Sequence, residues 1–118
     1  MFVDNDPHVR GSLKAFFVNG PAEYLFFQSG ADGLNSLKNN PADIVVSDYF
    51  LPDMDGISFL KRVGQIHGST VRILMATLGD DSLVEESRQS GIERFIEKPI
   101  NADTLDRMLK EFDLKFTN

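Results

Sequence analysis

Four polar side chains in this sequence have types that could support phosphoryl chemistry, and each follows a short apolar segment. They are Asp4, Asp48, Thr77 and Lys98. Carboxylates are ligands that Mg²⁺ prefers, a lysine ammonium pairs with an anionic group, and a hydroxyl can donate to one. An aspartate in such a setting can act as a nucleophile toward phosphorus and form an aspartyl phosphate. Any one acidic residue after a strand is as often a helix cap, but four matching segment ends favour a common site.

Five apolar runs alternate with stretches of helical period, a pattern typical of a (βα)5 chain. The runs are Phe2-Val3, Tyr24–Phe27, Ile44–Val46, Ile73–Ala76 and Phe95-Ile96. The third and fourth are almost continuously apolar, which suits parallel strands covered on both faces. Right-handed crossovers then place helices on both sides of one sheet. We predict a doubly wound α/β three-layer sandwich, flavodoxin-like, with strand order 2-1-3-4-5 and a ligand site at the carboxyl ends of strands 1 and 3.

Capping signals predict where the helices begin. Asp6 followed by Pro7 is typical of an N-cap and the first helical residue, so we assign Asp6 to capping rather than to metal ligation. Ser29 and Ser82 each precede an acidic residue by three positions, which predicts capping boxes for the second and fourth helices. Asp55 can cap the third helix.

Length and composition limit the function classes. The 118 residues suit one domain over residues 1–118, and 42% hydrophobic residues can form a core. The net charge of −6 disfavours direct nucleic-acid binding, and no cysteine is present for a thiolate site. The sequence has no apolar run long enough to cross a membrane, so we expect no membrane association and a cytoplasmic location. His8 and His67 lack partner spacing and are expected to be solvent-exposed.

Four motifs together resemble the receiver domains of two-component response regulators, which are CheY-like. They are residues 2–7 (FVDNDP), 44–56 (IVVSDYFLPDMDG), 73–77 (ILMAT) and 95–99 (FIEKP), in the family's order and over essentially the whole chain. The most specific piece is Asp48, then Pro52, then Asp55-Gly56, which in that family forms a turn into the third helix.

The resemblance implies a role for each matching position. Asp48 would accept the phosphoryl group, and Mg²⁺ would be held by Asp4, Asp48 and the backbone carbonyl of Phe50. Thr77 and Lys98 would contact the phosphoryl group once it forms, and the Lys98–Pro99 peptide would be cis, in line with the general restriction of cis bonds to X-Pro. Phe95 matches the family's aromatic switch, coupled to movement of Thr77, although simple packing on the sheet explains a strand aromatic equally well.

Two features depart from the family pattern. The second acid after the first strand, often a metal ligand, is replaced by Asn5, whose amide oxygen can still ligate Mg²⁺ but brings no charge. Loss of that charge is expected to weaken metal binding by roughly 1–3 kcal/mol. Only three residues precede Asp4, whereas strands usually have about five or six, so we expect further residues upstream.

Three functions are compatible with these residues. The first is a switch phosphorylated by a histidine kinase or phosphotransfer protein, which then binds an output domain, an output protein or a second copy of itself. Its catalysis would be limited to its own phosphotransfer and dephosphorylation. The second is a degenerate receiver that binds proteins independently of phosphorylation, which Asn5 would favour. The third is a phosphatase of the haloacid dehalogenase type, with Asp4 as nucleophile and Asp6 as acid/base, although Asp48 and Pro52 then have no role.

Overall fold

Parallel strands and helices alternate along the whole described chain. The computed structural model describes residues 1–20, 22–77 and 81–116, with side chains through residue 112. Within these residues the strands are β1 (Phe2–Val3), β2 (Phe26–Phe27), β3 (Ile44–Asp48), β4 (Val71–Thr77) and β5 (Arg94–Lys98). The helices are α1 (Pro7–Phe17), α2 (Gly30–Leu37), α3 (Gly56–Ile66), α4 (Asp81–Gln89) and α5 (Ala102–Phe116).

The strands form one sheet in the order β2-β1-β3-β4-β5, and each neighbouring pair is parallel. This confirms the predicted topology. The first strand is as short as the sequence indicates, and its pairing with β3 extends to Met1, whose carbonyl accepts a hydrogen bond from the Val46 amide at 2.8 Å. The third strand continues beyond the predicted apolar run and includes Asp48 itself.

Two buried clusters lie on opposite faces of the sheet, because successive side chains of a strand point to opposite faces. Phe2 and Val46 pack on one face with residues of α1 and α5, whereas Val3 and Val45 pack on the other with residues of α2 and α3. The result is three layers, as predicted. Because each strand buries side chains on both faces, its register is fixed, and so are the residues that stand at its carboxyl end.

Three of the predicted helix caps are confirmed. The Asp6 carboxylate accepts from the His8 amide at 2.8 Å, and the Ser29 hydroxyl accepts from the Asp32 amide at 3.2 Å. The Asp55 carboxylate accepts from the amide and the hydroxyl of Ser58, both at 2.8 Å. These caps fix the direction in which each helix leaves the sheet.

Two local predictions are wrong. Ser82 does not cap the fourth helix, because α4 already begins at Asp81 and an N-cap must precede the first helical residue. His67 is half-buried rather than exposed, and its Nε2 lies 2.8 Å from the carbonyl oxygen of Leu37. His67 is the C-cap of α3, and its ring is positioned by the contact with Leu37 at the end of α2. His8 is exposed, as predicted.

Candidate functional site

Asp4, Asp48, Thr77 and Lys98 lie at the same edge of the sheet. Asp4 directly follows β1, and Asp48 ends β3, the neighbouring strand. Thr77 ends β4 and is paired in register with Lys98, which ends β5. Because all the strands are parallel, their carboxyl ends meet at one edge, where ligands bind in open α/β sheets.

Lys98 joins the two buried carboxylates. Its Nζ lies 2.9 Å from Oδ2 of Asp4 and 3.2 Å from Oδ1 of Asp48. The Asp4 side chain is fully buried, while those of Asp48 and Lys98 are 12% and 19% exposed. The three charged groups therefore form one cluster that remains open to solvent at Asp48 and Lys98. The Lys98–Pro99 peptide that follows is cis, as the resemblance implies.

Asp4 is held by two further contacts. Its Oδ1 accepts a hydrogen bond from the Asp6 amide at 2.8 Å, and its backbone carbonyl accepts from Nη1 of Arg10 at 2.7 Å. Arg10 lies in α1 and was not identified from the sequence, where nothing distinguishes it from any other helical arginine. The Asp6 carboxylate, by contrast, accepts from the His8 amide at the start of α1.

The cluster shifts the ionisation of its members. Burial, followed by the negative charge of Asp4, raises the pKa of Asp48 above its usual value near 3.8, although Lys98 acts in the opposite direction. For Lys98, burial is the largest single influence and by itself would lower the pKa. The hydrogen bond and charge of Asp4 and the charge of Asp48 together outweigh it and raise the pKa above 10.5. The site therefore holds a carboxylate that is costly to keep ionised beside a fixed ammonium.

The loop after Asp48 is held close to the end of β3. The Tyr49 amide donates to Met75 of β4 at 2.9 Å, and its carbonyl accepts from the Gly56 amide at 2.6 Å. Phe50 and Asp55 form an antiparallel bridge across the loop. At Gly56 a side chain would collide with the Asp48 carbonyl oxygen, so this position requires glycine. These contacts hold the backbone of Phe50 in place, although Phe50 as a residue is 74% exposed.

The two candidate switch residues differ in burial. Thr77 is exposed at the end of β4, where its hydroxyl is accessible to a ligand. Phe95 in β5 is half-buried and packs against the cluster on the α2 and α3 side of the sheet. This position agrees both with a packed strand aromatic and with a switch, so the role of Phe95 stays a prediction.

The oxygen donors near Asp4 and Asp48 fit a hard divalent cation. The two carboxylates share one ammonium, which leaves one negative charge uncompensated, and Asn5 is exposed directly after Asp4. Among the residues that the structure describes, no group of three or more His, Asp or Glu side chains could hold a metal. If Mg²⁺ binds here, the Asn5 amide, the Phe50 carbonyl and water are the neutral oxygens that would complete its ligands.

Comparison with known proteins agrees with this site and fold. A sequence model of the response regulator receiver domain matches residues 1–110, and the chain belongs to that family. The chemotaxis protein CheY of Bacillus subtilis is 33% identical over 104 residues, which are 87% of each chain. The DNA-binding transcriptional regulator NtrC of Escherichia coli is 29% identical over 101 residues, which are 86% of this chain but 22% of NtrC.

Solved structures share the architecture. The signal receiver domain of an HD domain-containing protein from Pseudomonas fluorescens has a TM-score of 0.87 at 28% identity, covering 94% of this chain and 82% of its own. The BeF3-activated DrrB receiver domain has a TM-score of 0.85 at 26% identity, covering 94% and 92%. The chain is thus a response regulator receiver domain of two-component signalling.

Family membership excludes the phosphatase hypothesis, in which Asp6 would have been the acid/base. Asp6 instead caps α1. In the described ranges, no helix combines the length and the apolar character that a membrane span requires.

Proposed function

We propose that Asp48 accepts a phosphoryl group from the phosphohistidine of a histidine kinase or phosphotransfer protein in a Mg²⁺-dependent reaction. The observation that carries this proposal is the position of the Lys98 ammonium between the carboxylates of Asp4 and Asp48, at 2.9 and 3.2 Å. This arrangement pairs a carboxylate that is 12% exposed to solvent with a cation that can neutralise an incoming phosphoryl oxygen. Such a domain acts in the cytoplasm and needs no direct contact with nucleic acid.

In the transfer, an oxygen of the Asp48 carboxylate forms a bond to phosphorus as the bond between phosphorus and the histidine nitrogen breaks. Mg²⁺, held by Asp4, Asn5, Asp48 and the Phe50 carbonyl, would offset the charge of the phosphoryl oxygens. Lys98 would leave Asp48 to pair with one of those oxygens while remaining near Asp4. The Thr77 hydroxyl would donate to another oxygen.

The new contacts of Thr77 and Lys98 would change the conformation at the carboxyl ends of β4 and β5. Phe95, three residues before Lys98, would then adopt a different side-chain position on the same strand. The surface of α4, β5 and α5 would become the binding face for an output domain, an output protein or a second copy of the chain.

Replacement of the second acid by Asn5 favours one alternative, a receiver that binds its partner without phosphorylation. In that case the uncompensated charge of Asp4 and Asp48 would be too small to hold Mg²⁺. The two functions differ in whether the purified chain binds Mg²⁺ and takes up phosphate.

The test is incubation of the chain with a radiolabelled small phosphodonor such as acetyl phosphate, with and without Mg²⁺. We expect Mg²⁺-dependent, alkali-labile incorporation that disappears in Asp48→Asn and persists in Asp103→Asn, an exposed carboxylate on α5. Incorporation that survives Asp48→Asn would exclude Asp48 as acceptor. No incorporation and no Mg²⁺ binding by the unmodified chain would favour the degenerate receiver.

A further inference from the structure

The loop that carries the Phe50 carbonyl is anchored to a second part of the chain, far away in sequence. The Asp53 carboxylate accepts from the Gly30 amide at 3.0 Å through Oδ1 and from the Ala31 amide at 2.8 Å through Oδ2. Gly30 and Ala31 are the first two residues of α2, whose N-cap, Ser29, accepts from the Asp32 amide through its hydroxyl and from the Gly33 amide through its carbonyl. Asp53 therefore supplies the remaining acceptors at this helix start.

Packing reinforces this contact. The Met54 side chain lies so close to Gly30 that a Cβ built there would be 2.7 Å from its Sδ. The next acidic residue, Asp55, caps α3 instead. Two aspartates two residues apart thus tie the same loop to two different helices, α2 and α3.

The charge of Asp53 suits this role. Burial is the largest influence and would raise its pKa, but the amides of Ala31 and Gly30 and the nearby charge of Arg62 together lower the pKa below 3.8. The carboxylate is consequently ionised at neutral pH and faces the amino end of α2, where a negative charge is favourable.

We propose that Asp53 is a positioning residue for the magnesium site, because it fixes the loop from which the Phe50 carbonyl reaches the metal. This inference rests on the proposed function. Mg²⁺ demands near-ideal octahedral geometry. A ligand on a flexible loop must become ordered when the metal binds, and the entropy lost in that ordering weakens the affinity. Since Asn5 removes one charge from the ligand set, the affinity of this chain depends more on such preorganisation.

The experiment compares the unmodified chain with Asp53→Ala, Asp53→Asn and the control Asp32→Asn. Asp32 lies in the first turn of α2, beside Gly30 and Ala31, and Asp32→Asn removes the same charge, whereas the two amides that Asp53 holds keep their partner. Mg²⁺ affinity is measured by calorimetry at about 0.15 M salt, where exposed charges are screened beyond roughly 8 Å. Exchange of the Gly56 amide is followed by NMR without metal.

We expect Asp53→Ala to weaken Mg²⁺ binding about 10-fold, as loss of an outer support for a ligand does, and to speed Gly56 exchange. The Mg²⁺ affinity of Asp53→Asn, whose amide oxygen can replace one of the two acceptors, should lie between those of Asp53→Ala and the unmodified chain. The affinity of Asp32→Asn should match that of the unmodified chain. Equal affinities for Asp53→Ala and the unmodified chain, or equal losses in Asp53→Ala and Asp32→Asn, would overturn the positioning role alone. Absence of Mg²⁺ binding by the unmodified chain would instead contradict the proposed function, and with it the role of Asp53 toward the metal.

Discussion

At Asp48, function and stability oppose each other. Burial and the charge of Asp4 raise the pKa of Asp48, so the folded state binds its proton more tightly than the unfolded state does. Stability therefore falls as pH rises from about 4 through the raised pKa, and the loss persists at neutral pH. We expect Asp48→Asn to raise the free energy of unfolding by roughly 1 kcal/mol at pH 7 without Mg²⁺, as measured by urea denaturation. An Asp48→Asn variant that is less stable than the unmodified chain would contradict this.

Lys98 has the opposite effect, because its removal leaves two buried carboxylates facing each other. We expect Lys98→Met to lower the free energy of unfolding by about 2–4 kcal/mol at neutral pH without Mg²⁺. Added Mg²⁺ should restore part of the loss by replacing the missing positive charge. The control is Lys110→Met, which removes an exposed pair with Asp106 and should change stability by about 0.5 kcal/mol or less. Equal effects of the two substitutions would refute the central position of Lys98.

A site residue can be predicted from the sequence when its own strand places it at the site. Asp4, Asp48 and Lys98 follow apolar strands, and parallel strands bring their carboxyl ends together whatever the details of packing. Arg10 and Asp53 act through contacts with backbone groups outside their own helical turn or loop: Arg10 contacts the Asp4 carbonyl, and Asp53 contacts amides 22 and 23 residues away. No local pattern reports such contacts, so these two roles emerged only from the structure.

Among the elements, the start of α3 constrains the site most directly. Gly56 begins this helix against the backbone of Asp48 and Tyr49, which cannot move aside as a side chain could. We expect Gly56→Ala to destabilise the fold by about 2 kcal/mol and to lower the rate of Asp48 phosphorylation. Thermal unfolding and phosphodonor uptake would measure the two effects.

The matched control is Gly11→Ala in α1, where an added Cβ would meet no atom within 4 Å. Alanine there should stabilise the helix by about 0.5–1 kcal/mol without changing phosphorylation. Similar losses from Gly56→Ala and Gly11→Ala would show that helix propensity, not the close approach to β3, governs position 56.

Helix starts were predictable where the cap and its amide are neighbours in sequence, as at Asp6, Ser29 and Asp55. The prediction at Ser82 failed because capping-box spacing does not reveal whether the helix has already begun. The second strand is shorter than its apolar run, since only Phe26 and Phe27 pair with β1. Apolar character marks burial, whereas strand length depends on the partner strand.

At the scale of the whole molecule, Mg²⁺ should act as a stabilising ligand. A cation that binds only the folded chain raises the free energy of unfolding by about 2.7 kcal/mol at 100 times its dissociation constant. We expect the melting temperature to rise with Mg²⁺, and Asp4→Asn, which removes one negative charge from the proposed metal site, to abolish most of that rise. Equal melting temperatures with and without saturating Mg²⁺ would contradict a magnesium site.

The topology was the most predictable property of the molecule. Five alternating elements, the rule for right-handed crossovers and continuous apolar strands leave few arrangements, and the observed order 2-1-3-4-5 is one of them. The identity of the binding partner is harder to predict from the sequence. The chain spans most of CheY but about a fifth of NtrC, so the two relatives differ in what surrounds the shared domain.

The most direct test of the central claim is the crystal structure of the chain with Mg²⁺ and beryllofluoride, a phosphoryl mimic. We expect beryllium bonded to a carboxylate oxygen of Asp48, with fluorine atoms contacting Lys98 Nζ and the Thr77 hydroxyl. Mg²⁺ should contact Asp4, Asp48 and the Phe50 carbonyl. Beryllium bonded to Asp4, or no bound beryllofluoride at saturating Mg²⁺, would contradict Asp48 as the phosphoryl acceptor.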